Sequence, residues 1–284
     1  MRGGTLYVVA TPLGHLGDLS ARAAELFRSV PLVAAEDTRR TRTLLSHLGA
    51  RPRLVSYHAH SAAGAARTIL AALAAGEDVA LVSDAGTPGI SDPGAALVAE
   101  VRSAGHGVVP LPGPSAVTTA LSAAGLPADR YLFLGFLPRK GGERARLLSR
   151  IIKEEWTTVL FEAPGRVGDL LAELAAGCEP ERHAIVAREL TKIHEEFRVG
   201  TLAELAAAFR DDPPRGECTI LIAGARAASD GADVERGRLA AARLLAAGVS
   251  RRETASLLSD LFGVPRNEAY RMVTSDQVPV TGEP

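Results

Sequence analysis

Short apolar runs of β type alternate with longer alanine-rich runs along the first half of the chain. Leu6 to Ala10 is followed by Leu19 to Val30, Leu32 to Ala35 by Thr38 to Leu48, and Val79 to Val82 by Ala95 to Ala104. The long runs place their apolar residues at helical spacing, so the alternation predicts an α/β domain on a mostly parallel sheet. Gly107 to Leu111 reads as a further strand, followed by a helix that Pro114 opens and Gly125 ends.

Beyond Leu126 the pattern changes. YLFLGFLP, TTVLFEAP, HAIVARELTKIHEEFRVG and ECTILIAG are strand segments, the third a hairpin around Thr191 and Lys192. Helices are predicted at Glu143 to Ile152, Val167 to Ala176 and Leu202 to Phe209. This is a second α/β domain with antiparallel pairing, reached through a linker at Gly125 to Asp129. After Gly224 a polar stretch leads into three short helical patterns ending near Met272. Part of that stretch has helix-turn-helix spacing, with Ser250 and Glu253 fitting a capping box. Small helical appendages commonly share this spacing, so DNA is not expected as a partner, and residues after Ser275 are expected to fray. The expected domains are 1–124, 125–224 and a C-terminal helical region, 225–284.

Composition adds little to this picture and excludes several classes. The 284 residues are 46% hydrophobic and 23% charged, as in an ordinary globular protein. No apolar run is long enough for a membrane span and MRGGTLYVVATP has no signal-peptide core, so the expected location is cytoplasmic. Cys178 and Cys218 lack any metal or disulfide spacing. With a formal net charge of −1, binding to nucleic acid would depend on local patches. Two exist: Thr38 to Arg53 carries five arginines and no acid, and Arg139 to Lys153 carries four arginines, two lysines and one glutamate. Each also reads as a solvated helix face.

Three loops break the hydrophobic pattern at the carboxyl ends of strands, where doubly wound sheets bind ligands. They are ATPLGHLGDLS (Ala10 to Ser20), SDAGTPGISDPG (Ser83 to Gly94) and LPGPSAV (Leu111 to Val117). None is a GxGxxG or P-loop pattern, and proline removes the N–H groups a phosphate cradle needs. Such a pocket suits a ligand with a cationic centre and hydrogen-bonding edges. Read one residue at a time, the loops have plainer explanations: Asp18 and Ser20 as helix caps, Asp84 and Asp92 closing Asx-turns, Ser115 bonding the first helical turn. Gly113-Pro-Ser115-Ala-Val117 lacks the second glycine of a hydrolase elbow, and no metal site is expected; His58 and His60 read as solvated or hydrogen-bonded.

The stretches TPLGHLGDLSARA, AAEDTRRTRTLLSHLG, SDAGTPGISDPG, LPGPSAVTTALSAAGLP, FLGFLPRKG, FEAPGRV, RELTKIHEEFRVG and GECTILI resemble, in this order from Leu6 to Ala223, the tetrapyrrole methylase-like S-adenosylmethionine-dependent methyltransferases. Within that family they are similar to the branch that methylates a ribose 2′-hydroxyl of bacterial 16S rRNA. Gly165 stands where most relatives are expected to carry histidine, so no side-chain role is carried over there. The resemblance implies two α/β domains with the methyl donor between them, in a homodimer, acting on a cytidine in the decoding region of the small ribosomal subunit. It assigns donor contacts to Leu13, to Asp84, Ala85, Gly86 and Thr87, to Ser115 and Ala116, and to Phe161 and Ala163.

Methyl transfer from a sulfonium is an in-line displacement that depends on alignment and exclusion of water, with a base or cation helping a weakly nucleophilic hydroxyl. Glu36, Asp37 and Lys192 are the candidates for that help, with Arg39 and Arg188 as electrostatic partners. Asp37 also reads as a helix cap, and Lys192 as a solvated hairpin tip. Arg39, Arg40, Arg42, Arg139, Lys140 and Arg144 are candidates for neutralising phosphates, Tyr57 or Phe136 for stacking on bases, and Arg251, Arg252, Arg266 and Arg271 for a further contact. A tetrapyrrole methylase and a catalytically silent RNA-binding module of the same fold are the competing readings.

Overall fold

The computed structural model describes residues 3–58, 62–225, 232–262 and 266–274. Residues up to Gly224 form one compact unit containing two sheets, and a second unit begins at Ala225.

The first sheet is all parallel, in the order β3 (Arg53–Ser56), β2 (Leu32–Ala35), β4 (Val79–Val82), β1 (Thr5–Val9), β5 (Gly107–Leu111). Its central strands are apolar on both faces because helices cover both. Helices α1 (Ala21–Ser29) and α2 (Thr38–His47) close one core around Phe27, Val33 and Leu45. Helices α3 (Ala62–Ala74) and α4 (Ala95–Ser103) close the other around Leu6, Ile69, Leu81 and Leu97. Ser20 caps α1 by accepting the Ala23 N–H at 3.2 Å. Asp18 is no cap; it lies in a 3-10 turn that His15 caps by accepting from Gly17 N–H.

The second sheet is mixed, in the order β6 (Tyr131–Phe136), β7 (Thr157–Glu162), β10 (Cys218–Ile222), β8 (His183–Arg188), β9 (Glu196–Thr201). Only β6 and β7 are parallel. One face packs on α6 (Gly142–Lys153), α7 (Val167–Ala175) and α8 (Leu202–Asp211). The other face receives α5 (Ala116–Ala124), whose Val117, Ala120 and Leu121 meet Val159, Ile185 and Leu221. The helix that follows the last strand of the first sheet is therefore part of the second lobe's core, and Leu13 of the first loop joins it. Gly125, at φ 68°, ends α5 in the left-handed region before the chain enters β6. Arg182 is almost fully buried and donates to the carbonyls of Ile151 and Glu154 at 3.2 Å each, satisfying the end of α6.

The C-terminal unit has α9 (Ala232–Ala246), α10 (Arg251–Phe262) and α11 (Arg266–Thr274) around Ala241, Leu258, Ala269 and Val273. Ser250 accepts from the Glu253 N–H at 3.2 Å, the first half of the expected capping box. His60, the side chain of Arg266 and the tail after Ser275 lie outside what is described.

Candidate functional site

Three loops leave the first sheet at its carboxyl edge and are tied to each other by backbone bonds. Thr11 and Gly86 exchange N–H···O bonds of 2.9 Å, and the Thr11 hydroxyl donates to the Ser83 carbonyl at 3.2 Å. The Thr87 hydroxyl reaches the Pro114 carbonyl at 3.1 Å, joining the second loop to the third. Gly86 has φ 80°, a conformation that favours glycine, and a Cβ there would press on the Leu13 side chain at 3.3 Å. From the second lobe, the β8–β9 connection closes on the first loop. His15 N–H donates to the Thr191 hydroxyl at 3.1 Å, and the Lys192 side chain crosses the face of Gly14.

Between these loops and the ends of β6, β7 and β10 lies a cleft of about 410 Å³. Its walls include Leu13, Asp84, Ala85, Gly86, Thr87, Ser115, Ala116, Phe161 and Ala163, the nine residues that sequence reasoning assigns to a donor. They come from segments far apart in the chain, and the fold brings all nine together. The cleft also holds Glu36, Arg40, Ile90, Asp92, Phe136, Glu162 and Glu217. Five of its side chains are carboxylic acids, of which Asp84, Glu162 and Glu217 are paired with Arg40, Arg166 and Lys192, so the wall is rich in acids.

The acids are not equivalent. Asp84 accepts the Asp37 N–H at 2.9 Å and stands 3.5 Å from the Arg40 guanidinium, so it organises the start of α2 instead of closing an Asx-turn. Burial pushes Asp92 up to about 6; the Ser83 hydroxyl opposes this, while the charges of Glu36 and Asp84 add to it. Burial and the Asp84 charge also raise Glu36. Glu162 is buried at the end of β7, accepts the Ala163 N–H at 2.7 Å, pairs with Arg166 and keeps Oε2 without a protein partner. Burial raises the Cys218 thiol to about 11, so it stays a neutral wall.

The remaining candidates lie outside the cleft wall. Asp37 caps α2 through the Arg39 N–H at 2.8 Å and chelates the Arg39 side chain, which holds its carboxyl down at about 2. A carboxylate so stabilised is a poor base. Arg39 is 84% exposed, and Arg188 is paired with Glu196. For Lys192, partial burial works against the charged form, but the hydrogen bonds it donates to Glu189 at 2.9 Å and Glu217 at 3.1 Å outweigh it and hold the ammonium charged. It is no solvated hairpin tip; it braces Glu217 on the cleft wall. Tyr57 is only 3% exposed and cannot stack on a base. Arg144 is 13% exposed, bonded to Glu173 and the Pro138 carbonyl, and serves the packing of α6 on α7. Arg39, Arg42, Arg139 and Lys140 remain on the surface, and Arg40 is exposed at the cleft.

Sequence reasoning missed Glu162 and Glu217 and gave Asp92 only a turn role. One signal was present for Glu162: an acid closing the apolar run TTVLFE is a buried charge needing a reason. Among the described residues no group of acids, histidines and cysteines could hold a metal ion.

Two α/β lobes enclosing an acid-walled cleft at the carboxyl edge of a parallel sheet define a small-ligand enzyme fold. The match to the tetrapyrrole (corrin/porphyrin) methylase model over residues 5–206, together with the relatives below, shows that the chain belongs to that family and, within it, to the ribosomal RNA small subunit methyltransferase I group. A relative of that name from Synechocystis is 44% identical over 270 residues, covering 95% of this chain and 97% of its own. Another, from Escherichia coli O157:H7, is 42% identical with 96% of each chain covered. Among solved structures, a cobalt precorrin-4 methyltransferase superposes with TM-score 0.62 at 18% identity over 77% of this chain and 94% of that one. A Thermus thermophilus uroporphyrin-III C-methyltransferase, complexed with S-adenosyl homocysteine, gives 0.56 at 21% identity over 77% and 97%.

Proposed function

We propose that the chain transfers a methyl group from S-adenosylmethionine to the 2′-hydroxyl of a cytidine ribose in the decoding region of 16S rRNA, acting on the small ribosomal subunit as a homodimer. The observation that carries the reading is an acid-rich cleft in which all nine expected donor contacts converge. A sulfonium donor is cationic, and an acid-rich wall favours it. The relatives' shared name supports RNA as the acceptor, and the exposed arginines of α2 beside the cleft provide phosphate contacts.

In this reading Asp92 replaces Asp37 as the base. It lines the cleft, its Ser83 hydrogen bond orients it, and its pKa near 6 leaves it mostly ionised at neutral pH yet basic enough to accept a proton. Lys192, paired with Glu189 and Glu217, holds Glu217 in place on the cleft wall. The lobes hold acceptor, methyl and sulfur in line and exclude water. The test offers labelled donor with small subunits lacking the modification, naked 16S rRNA and a polycarboxylate tetrapyrrole in parallel. Label in RNA, greater on subunits, is the expected result; label in the tetrapyrrole alone overturns the reading.

A further inference from the structure

We propose that Phe136 is the platform on which the base of the target nucleotide stacks, and that the bulge in β6 exists to aim it. Phe133 stands opposite Val159, but Phe136 stands opposite Phe161, so three steps along β6 match two along β7. In unbroken register Phe136 would face Glu162 and share the side of Leu134, which packs into the helix-covered core. The extra residue flips it to the side of Phe133 and Phe161 and sends Leu137 into the core instead. The flip depends on Gly135, which has φ 60° and whose Cβ would collide with the Ser91 hydroxyl.

The outcome is a phenyl ring 57% exposed at the cleft, tilted against Phe161 with centroids 5.6 Å apart. Ile90, 44% exposed, lines the cleft from the other lobe. An apolar pair held open to water at a cleft mouth marks a surface that a ligand covers. RNA read as single strand presents unstacked bases to aromatic rings, and an enzyme reaching a ribose inside a cleft must draw the nucleotide out of its stack. Arg40 lines the same cleft with an exposed guanidinium, a cation within reach of a bound strand's phosphates.

The inference rests on the RNA-methylating reading, and the experiment separates the two. Wild type, Phe136→Leu and Phe136→Trp are compared for kcat/KM on small subunits and for S-adenosylhomocysteine affinity by calorimetry. Phe136→Leu is expected to lower kcat/KM by about 5- to 150-fold, the worth of one base–aromatic stack, with donor-product affinity within about 2-fold of wild type. Phe136→Trp is expected to restore it. Gly135→Ala should reproduce the loss, but it risks misfolding, so Phe136→Leu is decisive. An unchanged kcat/KM in Phe136→Leu overturns the proposal. So does a fall in S-adenosylhomocysteine affinity as large as the fall in kcat/KM, which would make the ring a donor wall. If wild type itself labels no RNA, the functional reading fails and this proposal with it.

Discussion

In the first lobe the cleft wall is made of loops that follow parallel strands, and in the second it is made of the strands themselves. The loops hold shape through glycine turns and backbone bonds such as the Thr11–Gly86 pair, leaving Asp84 and Asp92 at the surface they enclose. The second lobe offers the ends of β6, β7 and β10, where Phe161 lies on the α5-covered side of the mixed sheet and Glu162 and Cys218, opposite each other on β7 and β10, lie on the other. The first lobe supplies chemistry that can be changed one loop residue at a time. The second supplies Phe136 and Phe161 beside the acids Glu162 and Glu217, and there a change of register matters more than a change of residue. Their neighbouring acids follow the same logic. Glu36 faces the cleft and is raised by burial, while Asp37, one residue on, is spent on a helix cap and an arginine and is lowered.

Substitutions in each lobe test that division. Asp92→Asn should reduce turnover about 10²- to 10⁴-fold, the range for loss of a general base, with donor binding retained. Wild-type turnover should rise with pH through about 6 as Asp92 ionises, and the variant should lack that step. Because its folded pKa is raised from 3.8, the stabilisation Asp92 gives below that value is lost as pH rises to about 6. Thermal denaturation of Asp92→Asn across that window should be correspondingly flatter. Asp84→Ala removes a charge-assisted bond to Asp37 and frees Arg40; S-adenosylhomocysteine affinity should fall about 10- to 100-fold by calorimetry.

In the second lobe the effects move to stability. Arg182→Met removes the guanidinium bonds to the Ile151 and Glu154 carbonyls and should cost about 2 kcal/mol in urea unfolding, with donor affinity intact. Thr201→Ala breaks the capping box of α8 with Glu204 and should cost about 1 kcal/mol. Asp37→Asn should change turnover least, because its carboxylate lies outside the cleft wall. A turnover loss there matching that of Asp92→Asn would reverse the assignment of the base.

The strands β2, β4 and β5 and the hairpin of β8 and β9 are legible in the sequence because buried apolar runs flanked by turn residues leave little else for the chain to do. β3 escapes notice: RLVS is an edge strand, only partly buried, with too short an apolar run to register. The donor loops are legible because glycine, proline and aspartate interrupt the pattern where strands end. What separates Glu36 from Asp37, or Asp92 from Asp84, is direction and burial, which adjacent letters in AAEDTRR or SDAGTPGISDPG do not carry. The bulge at Gly135 is equally hidden, since YLFLGF reads as a regular strand until its partner's register is known. The coupling of α5 to the second sheet depends on tertiary packing that its own alanines do not reveal.

Alkaline hydrolysis of small-subunit RNA labelled by the wild-type protein tests the central claim most directly. A 2′-O-methyl group blocks cleavage of the adjoining phosphodiester, so the account expects label in an alkali-resistant dinucleotide that begins with cytidine. Label released in a mononucleotide would place the methyl on a base and contradict it.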